Sequence, residues 1–381
     1  MEASPVVTIQ KHFAKVADPR LKRRQRHRLM DIIVMAICAV IADCDTWEDI
    51  GVFVRKRRSW LERFLDLPHG VPSADTFARV FSRLDPQAFG AGFQSWIQAL
   101  SQAFGWSHVA IDGKTQRGSG NRRAGLGPLH VVSAWASQQQ LSLGQVAVES
   151  KSNEITAIPR LLELLDLKGA LVTIDAMGCQ KEIAAKIVAS KGDYVLTVKD
   201  NQPHLLEDIQ ETVSQALEGV LPAAVLDEYT TRERGHGREE ERSYVVVHWT
   251  EGLRDRALWP KLTSVGMCRR ERTVQGVTST EVHYFIGSRR LSAKRYGQVT
   301  RQHWSIENHL HWHLDVTFAE DASRIQNRNA AQNFTWLRRM ALSLLKRQPS
   351  DASLRSKRKQ AALDTTFLEE IVCAAPNMGK G

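Results

Sequence analysis

The sequence predicts an α/β protein: a mixed sheet with flanking helices and a β-rich insertion, preceded by an N-terminal helical domain. Three observations carry this. Apolar residues recur at three- and four-residue spacing through WEDIGVFVRKRRSWLERFL, TFARVFSRL and FGAGFQSWIQALSQAF. From residue 106 the period shortens to that of strands. Beyond it, segments follow one another as β-β-β-α-β-α-β, an order that supplies helices to cover a sheet.

Residues 1–28 read as a short leader ending in the basic run PRLKRRQRHR. Residues 29–104 read as helical, with breaks at LPHGVPS and LDP. Ser73 is placed to cap the helix ADTFARVF, with Asp75 near its positive end. The apolar run at 32–42 falls short of the roughly 20 residues of a bilayer span and reads as a buried helix. HVAIDGK, LHVVSAWAS and LSLGQVAVES read as three strands. TAIPRLLELLDLKG and QKEIAAKIVASKG read as helices, and ALVTIDAMG and DYVLTVKDNQ as the strands that follow each. Residues 203–220 read as a helix. Residues 224–290 read as strands (SYVVVHWT, LTSVGMCRR, VHYFIGS) parted by charged turns such as RERGHGREEER, an insertion that extends the sheet or packs beside it. Residues 291–347 are helical again, and the tail carries RSKRK and one last short helix. The expected division is a helical, DNA-binding domain at 1–104, a catalytic domain at 105–347 with its insertion at 203–290, and a basic tail at 348–381.

The 381 residues hold 52 lysines and arginines against 42 acidic residues, a net charge of +10. With 43% hydrophobic and 25% charged residues, the balance excludes a disordered or collagen-like chain. The positive surplus points to a polyanion. Five cysteines without a CxxC pair argue for a reduced, cytoplasmic protein and against a thiolate zinc site. The start MEASPVVTIQ has no secretory pattern, so neither export nor a membrane is expected.

Two aspartates stand out. Asp112 ends the strand HVAID, and Asp175 ends LVTID. A carboxylate after a buried apolar run is costly unless paired or bound to a cation. On adjacent strands the two would repel until a divalent cation joined them; the alternative is a pair of turn-forming aspartates. Glu307, Asp315, Glu320 and Asp321 are candidates for a third carboxylate. Glu307, among Trp304, Ile306 and Leu310, suits an inward position better than Glu320 and Asp321, which read as a solvated pair. The pattern leaves Glu307 and Asp315 undecided, and an ion pair of Glu307 with Arg301 is the structural alternative. On a helix His309 and His313 share a face and His311 points elsewhere. Without HExxH, these read as polar contacts to phosphate rather than a zinc site.

Basic clusters at 20–28, 55–58, 122–123, 338–339 and 355–359 each read as a solvated face. Together with ten tryptophans they make DNA or RNA the leading partner. Lys114, Arg117 and Lys199, beside the aspartates, suit a phosphodiester substrate, and Arg55, Lys56, Arg57 and Arg58 suit DNA on the helical domain.

AIDGKTQRGS, KSNEITAIP, VTIDAMGCQ, DYVLTVKDNQ, HGREEER and HWSIENHLHWHLDVTFAED closely resemble the H-repeat-associated insertion-sequence transposases, bacterial DDE enzymes with an RNase H-like catalytic domain. The resemblance implies that Asp112, Asp175 and Glu307 are the metal-binding triad, choosing Glu307 over Asp315. It also implies two Mg²⁺ ions (Mn²⁺ substituting), neighbouring first and fourth strands, and a homodimer acting on DNA near the bacterial nucleoid. One departure stands out: Thr300, His303 and Leu314 occupy positions where the broader group carries Tyr, Arg and Lys, and His303 would replace the arginine in holding a phosphate. The expected function is a DNA transposase that cleaves transposon ends and joins the 3′-hydroxyl to target DNA. The rivals are a metal-dependent nuclease without strand transfer, a DNA-binding remnant without chemistry, and a phosphatase of small esters, which leaves the basic runs unexplained.

Overall fold

The computed structural model describes residues 5–105, 107–121, 125–148, 153–235 and 237–373. Six helices come first: α1 Pro5–Phe13, α2 Leu29–Ile41, α3 Trp47–Lys56, α4 Arg58–Leu61, α5 Ala74–Arg83 and α6 Pro86–Phe104. Ser73 caps α5 as its position predicts, its hydroxyl accepting from the Thr76 N–H at 3.3 Å. Then come β1 His108–Gln116, β2 Leu129–Ala136, β3 Leu141–Ala147, α7 Glu154–Glu163, β4 Leu171–Ile174, α8 Lys181–Ala189 and β5 Asp193–Val198, the order read from the sequence. After α9 Pro203–Leu217 follow β6 Leu226–Gly235, β7 Arg238–Val247, β8 Ser264–Val274 and β9 Val277–Gly287. The last helices are α10 Ala293–His303, a π-helical turn Glu307–His311 running into α11 Trp312–Val316, then α12 Arg328–Arg347, α13 Leu354–Leu363 and α14 Thr365–Cys373.

All the strands form one sheet in the order β3-β2-β1-β4-β5-β9-β8-β7-β6. β4 lies parallel to β1 and to β5, and every other neighbouring pair is antiparallel. The first five strands have the RNase H-like arrangement that the resemblance implies, first beside fourth. The 203–290 segment extends this sheet, because β9 pairs with the outer edge of β5. It also holds a strand the hydrophobic pattern does not show. The stretch taken for a charged turn is the far end of a hairpin, with Gly235 opposite Arg238. Its alternating charges meet across the strands, Arg232 with Glu241 at 2.8 Å and Arg234 with Glu239 at 3.0 Å.

The apolar face of α2, 32–41, is fully buried, as its run of hydrophobic residues predicts. α12 packs on α2, α5 and α6 as well as on β3, so one hydrophobic cluster runs from the early helices to the sheet. The late basic clusters depart from the expectation of solvated faces. Arg338, Arg339 and Arg358 are at most 1% exposed, and Lys357 is buried. Arg358 reaches Asp43 at 3.1 Å and Asp45 at 2.9 Å and donates to the Val40 and Thr317 carbonyls. Arg358 thus ties α13 to the end of α2 and the turn that follows it. Arg122 and Arg123 lie outside the described residues.

Candidate metal centre

Asp112 lies in the middle of β1, which corrects the expectation that the strand ends there. β1 continues through Gly113 because β2 pairs with it as far as Gln116. On the other side β4 stops at Ile174, the partner of Ile111. Asp112 and Asp175 each therefore follow the last paired residues of the parallel β1–β4 ladder, Ile111 and Ile174, beside the gap that the end of β4 leaves. Asp175 caps the short helix that follows, its carboxylate accepting from the Gly178 N–H at 3.4 Å.

The helical turn carrying Glu307 closes the gap. Donor atoms of Asp112, Glu307 and His311 lie within 4.8 Å of one another. His311 Nδ1 is 3.4 Å from Asp112 and 3.8 Å from Glu307. These separations exceed the about 2.7–2.9 Å of a charge-assisted hydrogen bond. They approach the roughly 3.0–3.4 Å between two donors that each sit about 2.1 Å from one ion. Asp175 stands outside this cluster but near enough to raise the Asp112 carboxyl. Burial, then the charges of Glu307, Asp175 and Glu154, hold Asp112 well above the usual carboxylate range. Burial and Glu154 raise Asp175 as well, while Glu307, beside the His311 imidazole, is held low. Crowded acids that resist ionising together are what a bound divalent cation relieves.

Two residues here escape the sequence. His311 is the histidine that helical phase points away. It lies four residues after Glu307, a spacing that shares a helix face, so the two side chains meet, while His309 donates to the Ser305 carbonyl and His313 contacts the Thr317 hydroxyl. Glu154, in the first turn of α7, is held by His130 at 2.7 Å, and His130 contacts Thr115 at 2.7 Å. Gly113 makes room for it: a Cβ there would lie 2.1 Å from a Glu154 carboxylate oxygen.

The other candidates sort differently. Lys114 turns its ammonium into a carboxylate cluster, 2.6 Å from Asp315, 3.1 Å from Asp321 and 3.6 Å from Glu320. That occupies Asp315. Glu320, expected to be solvated, is buried and receives Arg339 at 3.3 Å. Arg301, the alternative partner for Glu307, pairs instead with Glu233. Arg117 is exposed, 3.5 Å from Asp321, and exposed Lys199 stands near enough to Asp175 to oppose its rise. Arg55, Lys56 and Arg58 are exposed, while Arg57 donates to the Ala362 and Leu363 carbonyls.

His303 is buried. Its Nδ1 meets the Thr173 hydroxyl at 3.1 Å, and the same hydroxyl meets His108 Nε2 at 3.0 Å. Burial pushes His108 down to about 3 and His303 down to about 4. Both fold as neutral rings, and the unfolded chain takes up their protons near pH 6.5. The unfolded state therefore binds more protons below that pH, and stability falls as pH drops from about 6.5 toward 4. The expected loss is about 2 kcal/mol for each ring by pH 5, read as a falling urea midpoint. His303→Gln should lessen that slope; an unchanged slope would assign it to other groups.

The family described as Transposase DDE domain matches residues 104–344. The chain belongs to the DDE transposase family. The DDE_Tnp_1-associated family matches residues 10–97. YncI of Escherichia coli O157:H7, named as a candidate transposase, is 39% identical over 378 residues, spanning 97% of this chain and 95% of that one. YhhI of Escherichia coli strain K12, named as a candidate H repeat-associated transposase, is 36% identical over 378 residues, spanning 96% and 98%. The resemblance read from the motifs thus holds for the family. A solved piggyBac transposase synaptic complex with hairpin DNA aligns with a TM-score of 0.45 at 12% identity, covering 99% of this chain and 83% of that one. As a DDE transposase domain, the chain carries the family's use of a divalent metal, and its carboxylate and histidine donors fit one. Among the described residues no helix is long and apolar enough to cross a membrane.

Proposed function

We propose that this transposase cuts the ends of its insertion element and joins the freed 3′-hydroxyl to target DNA, with Asp112, Asp175 and Glu307 holding two divalent cations, Mg²⁺ or Mn²⁺. The observation that carries the reading is the convergence of Glu307 on Asp112, beside the exit of Asp175. Bound there, the cations would activate the attacking hydroxyl and neutralise the leaving 3′ oxygen. The chain's own part is positional. β1 and β4 fix the aspartates on one rigid sheet, and the π-helical turn brings Glu307 over them. The ion cluster of Lys114 with Asp315, Asp321 and Glu320 ties β1 to the segment just after that turn. Exposed Lys199, and exposed Arg117 beside Asp321, would meet phosphates of the DNA. Preorganisation of this kind supplies much of the acceleration in phosphoryl transfer. Cutting two ends in concert calls for a homodimer on DNA.

The test is incubation of the full chain with Mg²⁺ and duplexes carrying the element's terminal repeats, one of them pre-cut. Nicking of the intact end and joining of the pre-cut end are expected. Nicking without joining would favour the simple nuclease, and neither product with Mg²⁺ or Mn²⁺ would overturn the reading.

His311 adds an imidazole to hard oxygen donors, which favours Mn²⁺ over Mg²⁺. His311→Ala is expected to weaken Mn²⁺ binding by about tenfold or more while changing Mg²⁺ binding less, as measured by calorimetry. Equal losses for both metals would remove nitrogen ligation from the account.

A further inference from the structure

Away from the carboxylate centre, the 20–28 segment and α5 enclose a cleft of about 600 Å³. Its charged lining is all of one sign. Arg24, Arg26, Arg79 and Arg83 face it together with His27 and His69, and no acidic side chain lines it. Arg20, also in the wall, is neutralised by Asp18 at 2.7 Å. The other four arginines are exposed and make no ion pair among the described residues. Elsewhere the chain pairs its surface arginines readily, as with Arg232, Arg254 and Arg301. Four unpaired guanidinium groups around one cleft repel one another, and burial together with Arg26, Arg20 and His69 holds His27 below its ordinary value. A polyanion relieves that repulsion.

We propose that this cleft is a second DNA site, which grips the phosphate backbone of a duplex outside the catalytic centre. Three features select this ligand. No phenylalanine, tyrosine or tryptophan lines the cleft, so it lacks the large rings on which unpaired bases stack best. Arg79 and Arg83, one helical turn apart, stand about 6 Å apart along the α5 axis, a spacing that serves successive phosphates better than a single small anion. The amino end of α5, with Ser73 and Thr76, opens onto the same cleft and adds its partial positive charge.

Arg79 is shared with a neighbouring groove that runs to Ala319, Ser323, Arg324 and Asn327. Asp321, in that segment, pairs with Lys114, two residues from Asp112. The neighbouring groove, lined by Asp45 and Glu48 as well as Arg324, lies between the cleft and that segment. The inference takes its partner from the proposed function but does not depend on the chemistry.

The test measures binding of the full chain to a fluorescent duplex carrying the terminal repeat, in EDTA, as a function of salt. Failure of catalysis therefore leaves this result readable. Arg24→Ala/Arg26→Ala/Arg83→Ala is expected to weaken binding at least tenfold and to make the slope of log K against log[salt] shallower by about 2 to 3, one increment for each lost phosphate contact. These side chains are exposed, so an unchanged melting temperature is expected; the single variant Arg83→Glu, expected to weaken binding several-fold, repeats the test with one substitution. Wild-type affinity and slope in both variants would overturn the proposal. So would losses confined to Arg55→Ala/Lys56→Ala/Arg58→Ala on α3 and α4, or a triple variant that loses heparin or an acidic polypeptide but keeps DNA.

Discussion

Asp112→Asn is expected to abolish DNA cleavage, by on the order of a thousandfold or more, and also to stabilise the cation-free protein at alkaline pH. The first effect follows from position. Asp112 is the carboxylate that both Asp175 and Glu307 approach, so its loss would disrupt both proposed cation sites, each expected to contribute several kcal/mol of transition-state stabilisation. The second follows from its raised pKa. A carboxyl whose folded value lies above its unfolded value contributes stability below the unfolded value and loses it as pH rises toward the folded one. An amide carries no such penalty. The melting temperature of Asp112→Asn should therefore exceed that of the wild type at pH 8, and the gap should shrink toward pH 4. Mn²⁺ should raise the wild type and leave the variant nearly unmoved. A variant less stable at pH 8, with cleavage intact, would show that Asp112 is an ordinary buried carboxylate.

Arg358→Ala carries the largest expected effect on stability. The guanidinium is fully buried, bridges Asp43 and Asp45, and satisfies the Val40 and Thr317 carbonyls while its face lies 4.2 Å over the Phe318 ring. Its removal leaves the Val40 and Thr317 carbonyls and the half-buried Asp45 carboxylate without their donor and opens a cavity beside Phe318, a cost of about 3–5 kcal/mol. Urea unfolding should show that loss. The phosphate-dependent salt slope of DNA binding should be unaffected in the fraction that remains folded. A loss under about 1 kcal/mol would mean that water takes over these contacts.

The order of elements, the buried α2 and the pair Asp112 and Asp175 were legible because each depends on local pattern: period, apolar run, and an acid following that run. What was not legible depends on contacts distant in sequence. RSKRK reads as solvated because composition cannot show that Asp43 and Asp45 wait for Arg358 more than three hundred residues away. The strand β6 was hidden because its charges alternate and are satisfied across the hairpin rather than by a core. Glu154 looks like an ordinary acid in a first helical turn, and only the β1–β2 pairing brings His130 and Gly113 against it. His311 was set aside because it was compared with His309 and His313, whereas its four-residue spacing from Glu307 is what brings it to the centre. Lys114 reads as a phosphate contact because Asp315, Glu320 and Asp321 return to it only in the fold.

Equilibrium Mn²⁺ binding, counted by electron paramagnetic resonance in the wild type and in Glu307→Gln and Asp315→Asn, tests the central claim most directly. Two ions are expected in the wild type, at least one lost in Glu307→Gln, and both kept in Asp315→Asn, whose partner is Lys114 rather than a cation. Full occupancy in Glu307→Gln, or loss confined to Asp315→Asn, would contradict a centre built from Asp112, Asp175 and Glu307.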